Sequence, residues 1–374
     1  MKSDTADVAI VGAGIVGLAF ALAHAKKGRR VVVFERTERA LGASIRNFGL
    51  VWPIGQPLGA LYNRALRSRN IWAEIAPRAG LWHAATGSLH LAYHSSEMAV
   101  IEELVSAARN HDVGCELLTA AETLKKSHAV RGDGLLGALW SPTEINVDPR
   151  QALWTLPHFL EKEFGVTFRF GELVRGIAMP AIETKSERWN VGEIVVCSGA
   201  DFETLYPQVF AESGLTRCKL QMMRTAPQPN HWALGPSLCA GLTLTHYDSF
   251  KACPSLPALK KRFEAEYPFC VKNGIHVLLS QTATGELTIG DSHEYGLALS
   301  PFDREEINRA ILDYLNTFAV APSFEIVERW HGIYPKLPGK TEFVAAPEKG
   351  VTIVNGLSGA GMTFSFGLAD EMVK

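Results

Sequence analysis

Gly12-Ala13-Gly14-Ile15-Val16-Gly17 is a Gly-x-Gly-x-x-Gly motif near the amino terminus. The apolar run 7–11 precedes it, and the segment 17–27 after it has the small and apolar residues of a closely packed helix. A second apolar run, 30–34, is rich in valine and ends at Glu35. The order of strand, helix and strand around this motif predicts a Rossmann βαβ unit that binds a dinucleotide.

The three glycines of the motif have separate roles. Gly12 allows a tight turn, Gly14 allows the backbone to approach a pyrophosphate, and Gly17 allows close contact between helix and strand. Glu35 is placed to accept hydrogen bonds from ribose hydroxyls and disfavours a 2′-phosphate, so NADP is not expected. A second match at 132–137 lacks a preceding strand and is soon followed by proline, so we discount it. At this point FAD and NAD both remain open.

The composition indicates a soluble globular protein with a small-molecule partner. The chain has 374 residues, which favours two domains, with 47% hydrophobic and 20% charged residues. A net charge of -2 gives no general attraction for nucleic acid or an anionic membrane. No apolar run reaches the roughly 20 residues of a membrane-spanning helix. The oligomeric state is left open.

The cysteines and the first residues bear on the cellular compartment. The 6 cysteines are scattered, without a Cys-x-x-Cys pair or histidines at metal-binding spacing, so we predict reduced thiols and no metal site. The first seven residues do not have the pattern of a signal peptide. We therefore expect a cytoplasmic protein.

Periodicity predicts the remaining organisation. Helices are expected over 55–80, 97–110, 148–164 and 304–318, and strands over 165–170, 193–200 and 351–354. Between 218 and 290, short strands broken by proline and glycine predict an antiparallel layer. We expect an α/β protein with a discontinuous nucleotide-binding domain over 1–85, 146–215 and 328–374. A substrate domain would comprise 86–145 and 216–327.

The segment Gly42-Ala43-Ser44-Ile45-Arg46-Asn47-Phe48-Gly49 resembles the second flavin motif of the superfamily of D-amino acid oxidase, glycine oxidase and sarcosine oxidase. Further similarities to that superfamily occur at 146–149, 171–177, 197–200, 330–335 and 356–363. The resemblance implies a glycine oxidase-like, Rossmann-type FAD-binding domain with a β-rich antiparallel-sheet substrate domain. It also implies FAD-dependent amine oxidation, with molecular oxygen as electron acceptor.

In that superfamily Ser44 and the backbone from Asn47 to Leu50 would contact the pyrophosphate and flavin. Val174 would meet the adenine, and Gly199 would pass close to the dinucleotide. Backbone amides at the start of the carboxy-terminal helix could face the pyrimidine oxygens of the flavin. Together with the glycine motif, these likenesses give the following expected FAD-binding set: Gly12, Gly14, Ile15, Gly17, Glu35, Arg36, Ala43, Ser44, Asn47, Phe48, Gly49, Leu50, Val174, Gly199, Ser358, Gly359, Ala360, Gly361, Met362 and Thr363.

The resemblance also predicts how the flavin is attached. Sarcosine oxidases tether it to a cysteine between the Trp-x-Gly motif and the carboxy-terminal glycines. Residues 330–374 contain no cysteine, and no histidine lies close to Ser44 in the sequence. We therefore expect non-covalent FAD.

The substrate pocket departs from the glycine oxidase pattern. Glycine oxidases carry an arginine for the substrate carboxylate in Trp-x-Gly-Leu-Arg-Pro, and Tyr334 stands at that position. A tyrosine lacks the bidentate fork that suits a carboxylate. Candidates to hold a substrate anion are therefore Tyr334 itself with Arg46, Arg224, His246, His293 and His331. No side chain is assigned as a general base.

The motif at 42–49, with 52–56 and 218–224, is similar to a subgroup of the superfamily associated with phosphonate catabolism. This likeness implies oxidation of an aminophosphonate related to 2-aminoethylphosphonate, hydroxylated or N-methylated. The products would be an aldehyde, ammonia or methylamine, and hydrogen peroxide. Alternatives are an oxidase of glycine, sarcosine or a D-amino acid, and an FAD-dependent hydroxylase suggested by Gly290-Asp291-Ser292-His293. An NAD-dependent dehydrogenase and a non-catalytic FAD-binding protein also remain open.

Overall fold

A computed structural model describes residues 4–374; residues 1–3, the start of the predicted first domain, lie outside the described part. The strands are β1 Asp4–Val11, β2 Val31–Glu35, β3 Leu50–Val51, β4 His83–Ala84, β5 Ser88–Ala92, β6 Glu116–Thr119, β7 Gly137–Ser141, β8 Ile145–Val147, β9 Thr167–Phe170, β10 Val174–Ala178, β11 Ala181–Thr184, β12 Arg188–Val196, β13 Thr216–Pro227, β14 Ser237–Ala240, β15 Leu278–Gln281, β16 Glu286–Gly290, β17 Glu294–Gly296, β18 Ile326–Lys336, β19 Phe343–Glu348 and β20 Val351–Asn355. The α-helices are α1 Ile15–Lys26, α2 Ala60–Arg78, α3 Ser95–Arg109, α4 Ala120–Lys126, α5 Pro149–Phe164, α6 Pro207–Glu212, α7 Gly241–Leu244, α8 Leu256–Glu266, α9 Pro268–Lys272, α10 Glu305–Phe318 and α11 Gly361–Met372.

An eight-stranded sheet carries the predicted βαβ unit. Its parallel centre runs β9-β2-β1-β12-β20, with β1 hydrogen-bonded to both β2 and β12. β19 and the β10–β11 hairpin pair in antiparallel fashion at its margins. Every residue of β2 is buried, because helices or loops cover both faces of a parallel sheet. The glycine motif therefore lies at the carboxyl end of β1, beside β2 and β12.

Helices α1, α5 and α11 form one layer against this sheet. Leu18 and Phe20 of α1, Leu156 of α5, and Phe364 and Phe366 of α11 belong to one buried cluster with the sheet residues. Helix α1 is buried nearly all round, which explains its content of alanine and other small residues. The amino ends of α1 and α11 lie side by side, since a Cβ on Gly361 would be 3.5 Å from the Cγ2 of Ile15.

A nine-stranded sheet, with strand order β17-β13-β16-β15-β14-β5-β7-β6, forms the second layer system, and β18 pairs with β13. All its pairings are antiparallel except the one between β14 and β5. A small sheet, β3-β8-β4, completes the set. The predicted class is confirmed: an α/β dinucleotide-binding part with a β-rich, antiparallel second part.

Two details differ from the sequence-based expectation. The segment 218–290 is not made of strands alone, because it contains α7, α8 and α9; Leu256, Leu259 and Phe263 bury one face of α8. Secondly, the sequence places most of β18 in the nucleotide-binding segment 328–374. Its backbone instead pairs with β13 in the nine-stranded sheet. The hydrogen bonds between paired strands determine the sheet to which a strand belongs, whatever segments adjoin it in the sequence.

The described chain, residues 4–374, contains no helix with both the length and the apolar character needed to cross a lipid bilayer.

Candidate active site

A continuous cavity of about 540 Å³ extends from the turn after β1 to one face of the nine-stranded sheet. One part is lined by the glycine turn, the loop 42–48 and the carboxy-terminal glycines. The other part is lined by histidines and tyrosines of the second sheet and its loops. The cavity thus joins the two halves of the fold.

Close backbone contacts explain the glycines of the first turn. Gly12 has a φ of +102°, and a Cβ there would lie 2.4 Å from the carbonyl oxygen of Cys197. A Cβ on Gly17 would lie 1.9 Å from the carbonyl oxygen of Gly12. Neither position tolerates a side chain, so the turn stays tight and the amino end of α1 faces the cavity. An anion such as a pyrophosphate is favoured there.

Ser44 and Glu35 hold this turn from two sides. The Oγ of Ser44 accepts a hydrogen bond from the backbone N–H of Ile15 at 3.0 Å. The Oε2 of Glu35 accepts one from the backbone N–H of Ala13 at 3.0 Å, and its Oε1 accepts one from that of Thr37 at 3.1 Å. Oε1 also accepts from the Thr37 hydroxyl at 2.8 Å, so the Glu35 carboxylate is fixed at the cavity wall with acceptor capacity left on Oε2 for a ribose hydroxyl.

The loop after the turn is shaped by the side chain of Asn47. Its Nδ2 donates to the carbonyl oxygens of Ala43, at 3.1 Å, and Ser44, at 2.9 Å. Its Oδ1 accepts from the backbone N–H of Gly49 at 2.7 Å. Gly49 itself has a φ of +74°, and a Cβ there would lie 1.8 Å from the carbonyl oxygen of Val147. Asn47 and Gly49 therefore set the path of the chain that brings Phe48 and Leu50 to the cavity.

The carboxy-terminal glycines form a second helix start at the cavity. All residues from Gly356 to Phe364 line it. Two tryptophans anchor the segment, since the Nε1 of Trp72 donates to the carbonyl oxygen of Met362 at 3.0 Å and the backbone N–H of Trp52 donates to the Oγ1 of Thr363 at 2.9 Å. Two helix amino termini thus face the same space.

These features fit FAD. A glycine turn without room for side chains, a helix amino terminus and a fixed carboxylate meet the pyrophosphate and ribose in dinucleotide sites. Val174, Gly199 and Arg36 also line the cavity, the last paired with Asp201 at 3.0 Å between Nη1 and Oδ2. The second helix start lies on the side toward the nine-stranded sheet, where it could meet the isoalloxazine ring.

A cluster of three histidines lines the cavity on that side. One ring nitrogen from each of His246, His276 and His293 lies within 4.8 Å of the others. The rings of His246 and His276 stack with centroids 3.7 Å apart, and His293 lies 4.6 Å from His246 by the same measure. The Oδ1 of Asp291 is 3.1 Å from the Nε2 of His276. Burial, followed by nearby positive charge, lowers the pKa of His246 well below its usual value.

Tyr334 connects the carboxy-terminal glycines with the histidines. A Cβ on Gly359 would lie 3.6 Å from the Tyr334 hydroxyl oxygen, and the rings of Tyr334 and His293 have centroids 6.5 Å apart. Cys218 lies opposite Tyr334 in one strand pairing and opposite Tyr295 in another. Burial raises the pKa of the Cys218 thiol to about 12, so it is a neutral hydrogen-bonding group at physiological pH.

The sequence pattern of one family, the FAD dependent oxidoreductases (DAO), matches residues 7–374. This chain belongs to that family. The prediction of FAD is thereby confirmed, and the NAD-dependent dehydrogenase is excluded as an interpretation of the glycine motif. The family membership also makes the chain an oxidoreductase rather than a regulatory FAD-binding protein.

Curated relatives of this FAD-dependent oxidoreductase include oxidases of amino compounds. One subunit of the opine oxidase of Agrobacterium tumefaciens (strain Ach5) is 24% identical over 63% of this chain and 67% of its own. The corresponding opine oxidase subunit of Rhizobium meliloti is 27% identical over the same shares. D-amino-acid oxidase of Streptomyces coelicolor is 36% identical over a shorter match, 20% of this chain and 23% of its own.

Solved structures share the fold over almost the whole chain. L-proline dehydrogenase of P. horikoshii superposes with a TM-score of 0.78 and 19% identity, covering 99% of this chain and 93% of the other. Glycine oxidase of Geobacillus kaustophilus has a TM-score of 0.76 and 20% identity, covering 99% and 94%. Iminodiacetate oxidase of Chelativorans sp. BNC1 has a TM-score of 0.71 and 20% identity, covering 98% and 94%.

The structure brings together most residues that the sequence nominated for this oxidoreductase. Of the expected FAD-binding set, Gly17 and Gly49 are not in the cavity wall but pack against backbone behind it. Of the substrate candidates, four line the cavity: Arg46, His246, His293 and Tyr334. Arg46 also donates through Nη1 to the carbonyl oxygen of His331 at 3.2 Å.

Arg224 and His331 are placed elsewhere. Arg224 is buried with its guanidinium against the Trp330 ring, and His331 pairs with Asp303 at 3.0 Å. For His331 the physical reason is strand alternation, since it lies three residues from Tyr334 in β18 and so faces the opposite side of the sheet. Arg224 shares a face with Leu220 and Met222 but lies beyond them along β13, where its guanidinium meets the Trp330 ring. Neither residue lines the cavity, and neither is retained as a candidate for the substrate anion.

Several cavity residues were missed from the sequence, namely His276, Asp291, Tyr295 and Lys336. Asp291 drew attention only as part of the motif that suggests a hydroxylase. His276 carried no local signal, because its significance comes from pairing across the sheet: its backbone N–H donates to the carbonyl oxygen of Asp291 at 3.2 Å.

Proposed function

We propose that this protein is an FAD-dependent oxidase of a small aminophosphonate related to 2-aminoethylphosphonate, in hydroxylated or N-methylated form. The products are an aldehyde, ammonia or methylamine, and hydrogen peroxide, with molecular oxygen as the electron acceptor. FAD is held non-covalently, since no cysteine lies between 330 and 374.

The observation that carries the proposal is the set of donors around Tyr334. A bidentate arginine suits a planar carboxylate, whereas a phosphonate presents three oxygens in a tetrahedral arrangement. Tyr334, His246, His276 and His293 place separate hydrogen-bonding groups at the cavity, and Lys336 adds a positive charge there. This arrangement supports a compact anion with several acceptor oxygens.

The relatives support an amine as the reacting group. Their names refer to oxidation of opines, D-amino acids, glycine and iminodiacetate. In each case the compound combines an amine with an anionic group. An aminophosphonate keeps that combination and changes only the anion, which agrees with the change at Tyr334.

The reaction balances with oxygen and water as co-substrates. When bound, FAD would supply the acceptor for the hydride that leaves the carbon bearing the amine. Water then adds to the resulting imine, and ammonia or methylamine leaves as the aldehyde forms. Oxygen receives the two electrons and two protons and becomes hydrogen peroxide.

The residues of the chain contribute positioning and exclusion of water. When the anion is held on the histidine side of Tyr334, the amine end of a short substrate is directed toward the carboxy-terminal glycines on the other side. Phe48, Leu220 and Met222 line the cavity between the two ends and provide an apolar wall. An apolar wall of this kind favours the neutral amine, the form from which hydride can leave.

Anaerobic flavin reduction tests the proposal. The purified FAD-loaded protein is mixed with 2-aminoethylphosphonate and its hydroxylated and N-methylated derivatives, and in parallel with glycine, sarcosine and D-alanine. We expect bleaching of the flavin absorbance by at least one aminophosphonate, and peroxide release when air is admitted. Bleaching by the amino acids alone would assign the chain to the alternative oxidase. Flavin reduction that requires NADPH would indicate a hydroxylase.

A further inference from the structure

His246, His276 and His293 form a buried cluster whose ligand and protonation the proposed function does not specify. His246 follows α7, His276 precedes β15 and His293 precedes β17, so three separate segments supply it. The side chains of His276, His293 and Asp291 are 4%, 3% and 6% exposed. Buried imidazoles normally have hydrogen-bond partners, yet the Nδ1 of His276 has none among the described residues. The hydrogen bonding of this cluster is therefore incomplete within the described residues.

The protonation of His293 is constrained by its backbone partner. Its Nδ1 lies 2.9 Å from the carbonyl oxygen of Gly274, an acceptor only, so Nδ1 carries the proton. In the neutral ring Nε2 then has a lone pair and cannot donate. His293 can donate from Nε2 to an anion only when the ring is doubly protonated. The Oδ2 of Asp291, 3.9 Å from that Nε2, favours the protonated form.

A metal ion fits the ring geometry poorly. A metal bound by two imidazoles lies close to the plane of both rings, about 2.0–2.1 Å from each nitrogen. The rings of His246 and His276 stack at 3.7 Å with 25° between their planes. The two ring planes are therefore nearly parallel and separated, so one ion cannot lie close to both of them. N–H groups of two stacked rings can instead donate to two different oxygens of one anion.

The charges around the cluster favour binding of an anion together with protonation of a histidine. Lys336 and Lys251 add positive potential at His246, while Asp291 opposes the lowering of the His293 pKa by burial. The titratable and charged groups that face the cluster are Asp291, Lys336, Lys251, Asp248, Tyr247, Tyr295, Tyr334 and Cys218. Without an anion, burial and repulsion between the imidazoles lower the pKa values of His246 and His293.

We propose that His246, His276 and His293 form a subsite for a tetrahedral oxyanion, and that anion binding takes up a proton at His293. The oxyanion is the phosphonate of a substrate or free phosphate. Its assignment to a substrate rests on the proposed function, whereas the subsite and its proton uptake do not.

Calorimetry with inert anions tests the subsite on the FAD-loaded protein. Methylphosphonate, inorganic phosphate and acetate are titrated in two buffers of different ionisation enthalpy, and perturbation of the flavin spectrum reports binding near the cofactor. We expect methylphosphonate and phosphate to bind with uptake of about one proton per anion, more tightly as the pH is lowered toward the histidine range. Tighter binding of methylphosphonate than of phosphate assigns the subsite to a substrate, and the reverse assigns it to free phosphate.

Substitutions identify the residues responsible. His293→Gln should abolish the proton uptake. His293→Gln and His246→Gln, tested as separate single variants, should each weaken methylphosphonate binding about tenfold or more, because each removes one charge-assisted hydrogen bond. His158→Gln is the matched control, since that side chain is 69% exposed on α5. FAD content and melting temperature show whether each variant is folded; if His293→Gln is not, His246→Gln provides the test.

Three outcomes would overturn the subsite. The first is acetate binding as tightly as methylphosphonate, and the second is anion binding without proton uptake. The third is a stoichiometric transition metal in the purified protein that is lost in both histidine variants. Proton-linked anion binding without oxidation of any aminophosphonate would leave the subsite standing and reject the proposed function.

Discussion

The Oδ1 of Asp291 lies 3.1 Å from the Nε2 of His276, and the backbones of the two residues exchange hydrogen bonds at 2.8 and 3.2 Å. Both side chains are buried at the cavity that also holds the FAD-binding residues. A buried carboxylate beside imidazoles stabilises their protonated form. The charge of Asp291 therefore raises the pKa of His293 against the lowering effect of burial.

Asp291→Asn should change the pH profile of anion binding. The amide has nearly the same shape as the carboxylate but no charge, so the pKa of His293 should fall further below its usual value. The pH above which methylphosphonate affinity declines should then move to lower pH. Isothermal titration between pH 5.5 and 8.5, a range of about three units around the histidine pKa, measures this shift. An unchanged profile would mean that Asp291 has only a structural role.

Gly12→Ala should eliminate FAD binding. The added Cβ would lie 2.4 Å from the Cys197 carbonyl oxygen, at a φ of +102° that disfavours a side chain. We expect a colourless protein destabilised by roughly 1–3 kcal/mol. Gly176→Ala is the control, because a Cβ there meets nothing within 4 Å. The ratio of flavin to protein absorbance and a thermal melt measure both effects; retention of full FAD by Gly12→Ala would contradict the role of the turn.

Acid precipitation should release all of the flavin. No cysteine lies in 330–374, and the Cys197 thiol, which lines the cavity, has a pKa raised by burial and is a poor nucleophile. After trichloroacetic acid treatment we expect a white pellet and a yellow supernatant that contains intact FAD by chromatography. A yellow pellet that persists after washing would show a covalent bond.

Tyr334→Phe should raise KM without loss of FAD. The hydroxyl is close to Cys218 and to Gly359, and its removal takes away one donor at the junction of the two halves of the cavity. For the aminophosphonate that bleaches the flavin, KM should rise about five- to tenfold, the value of one hydrogen bond. Steady-state peroxide assays measure this, with FAD content as control. An unchanged KM would place the substrate away from Tyr334.

His90→Leu should remove part of the acid sensitivity of the fold. His90 is fully buried between Trp52 and Phe250 with both ring nitrogens unpartnered among the described residues, and burial lowers its pKa to about 3. In the unfolded chain His90 takes up a proton near the ordinary histidine pKa, whereas in the folded protein it stays neutral. Protonation therefore favours the unfolded chain, and the protein loses stability as the pH falls below that pKa. The change in the free energy of unfolding caused by His90→Leu should be about 2 kcal/mol more favourable to the folded state at pH 5 than at pH 8. Urea unfolding at both pH values measures the difference, and equal effects at the two would contradict it.

Local patterns predicted the parts of the protein that depend on local geometry. The spacing of Gly12, Gly14 and Gly17 between two apolar runs predicted the βαβ unit, because a tight turn between strand and helix can be built only from such residues. Asp148 and Pro149 likewise marked the start of α5: the Asp148 side chain accepts from the backbone N–H of Arg150 and Gln151. Helix α8 was missed because prolines in its region suggested strand ends, whereas a proline occupies the first turn of the helix.

The amino-acid sequence by itself determined that this chain binds FAD through a Rossmann unit, since glycine spacing, Glu35 and the later flavin motifs act through backbone geometry that is encoded locally. Only the tertiary structure decided which side chains share the cavity. His246, His276, His293 and Asp291 come from segments that meet through strand pairing and loop packing. Strand alternation turned His331 away from the cavity while leaving Tyr334 in its wall, and Arg224 lies beyond the cavity-lining Leu220 and Met222 along β13. The relative register of distant strands, which no short motif encodes, therefore determined the substrate end of the site.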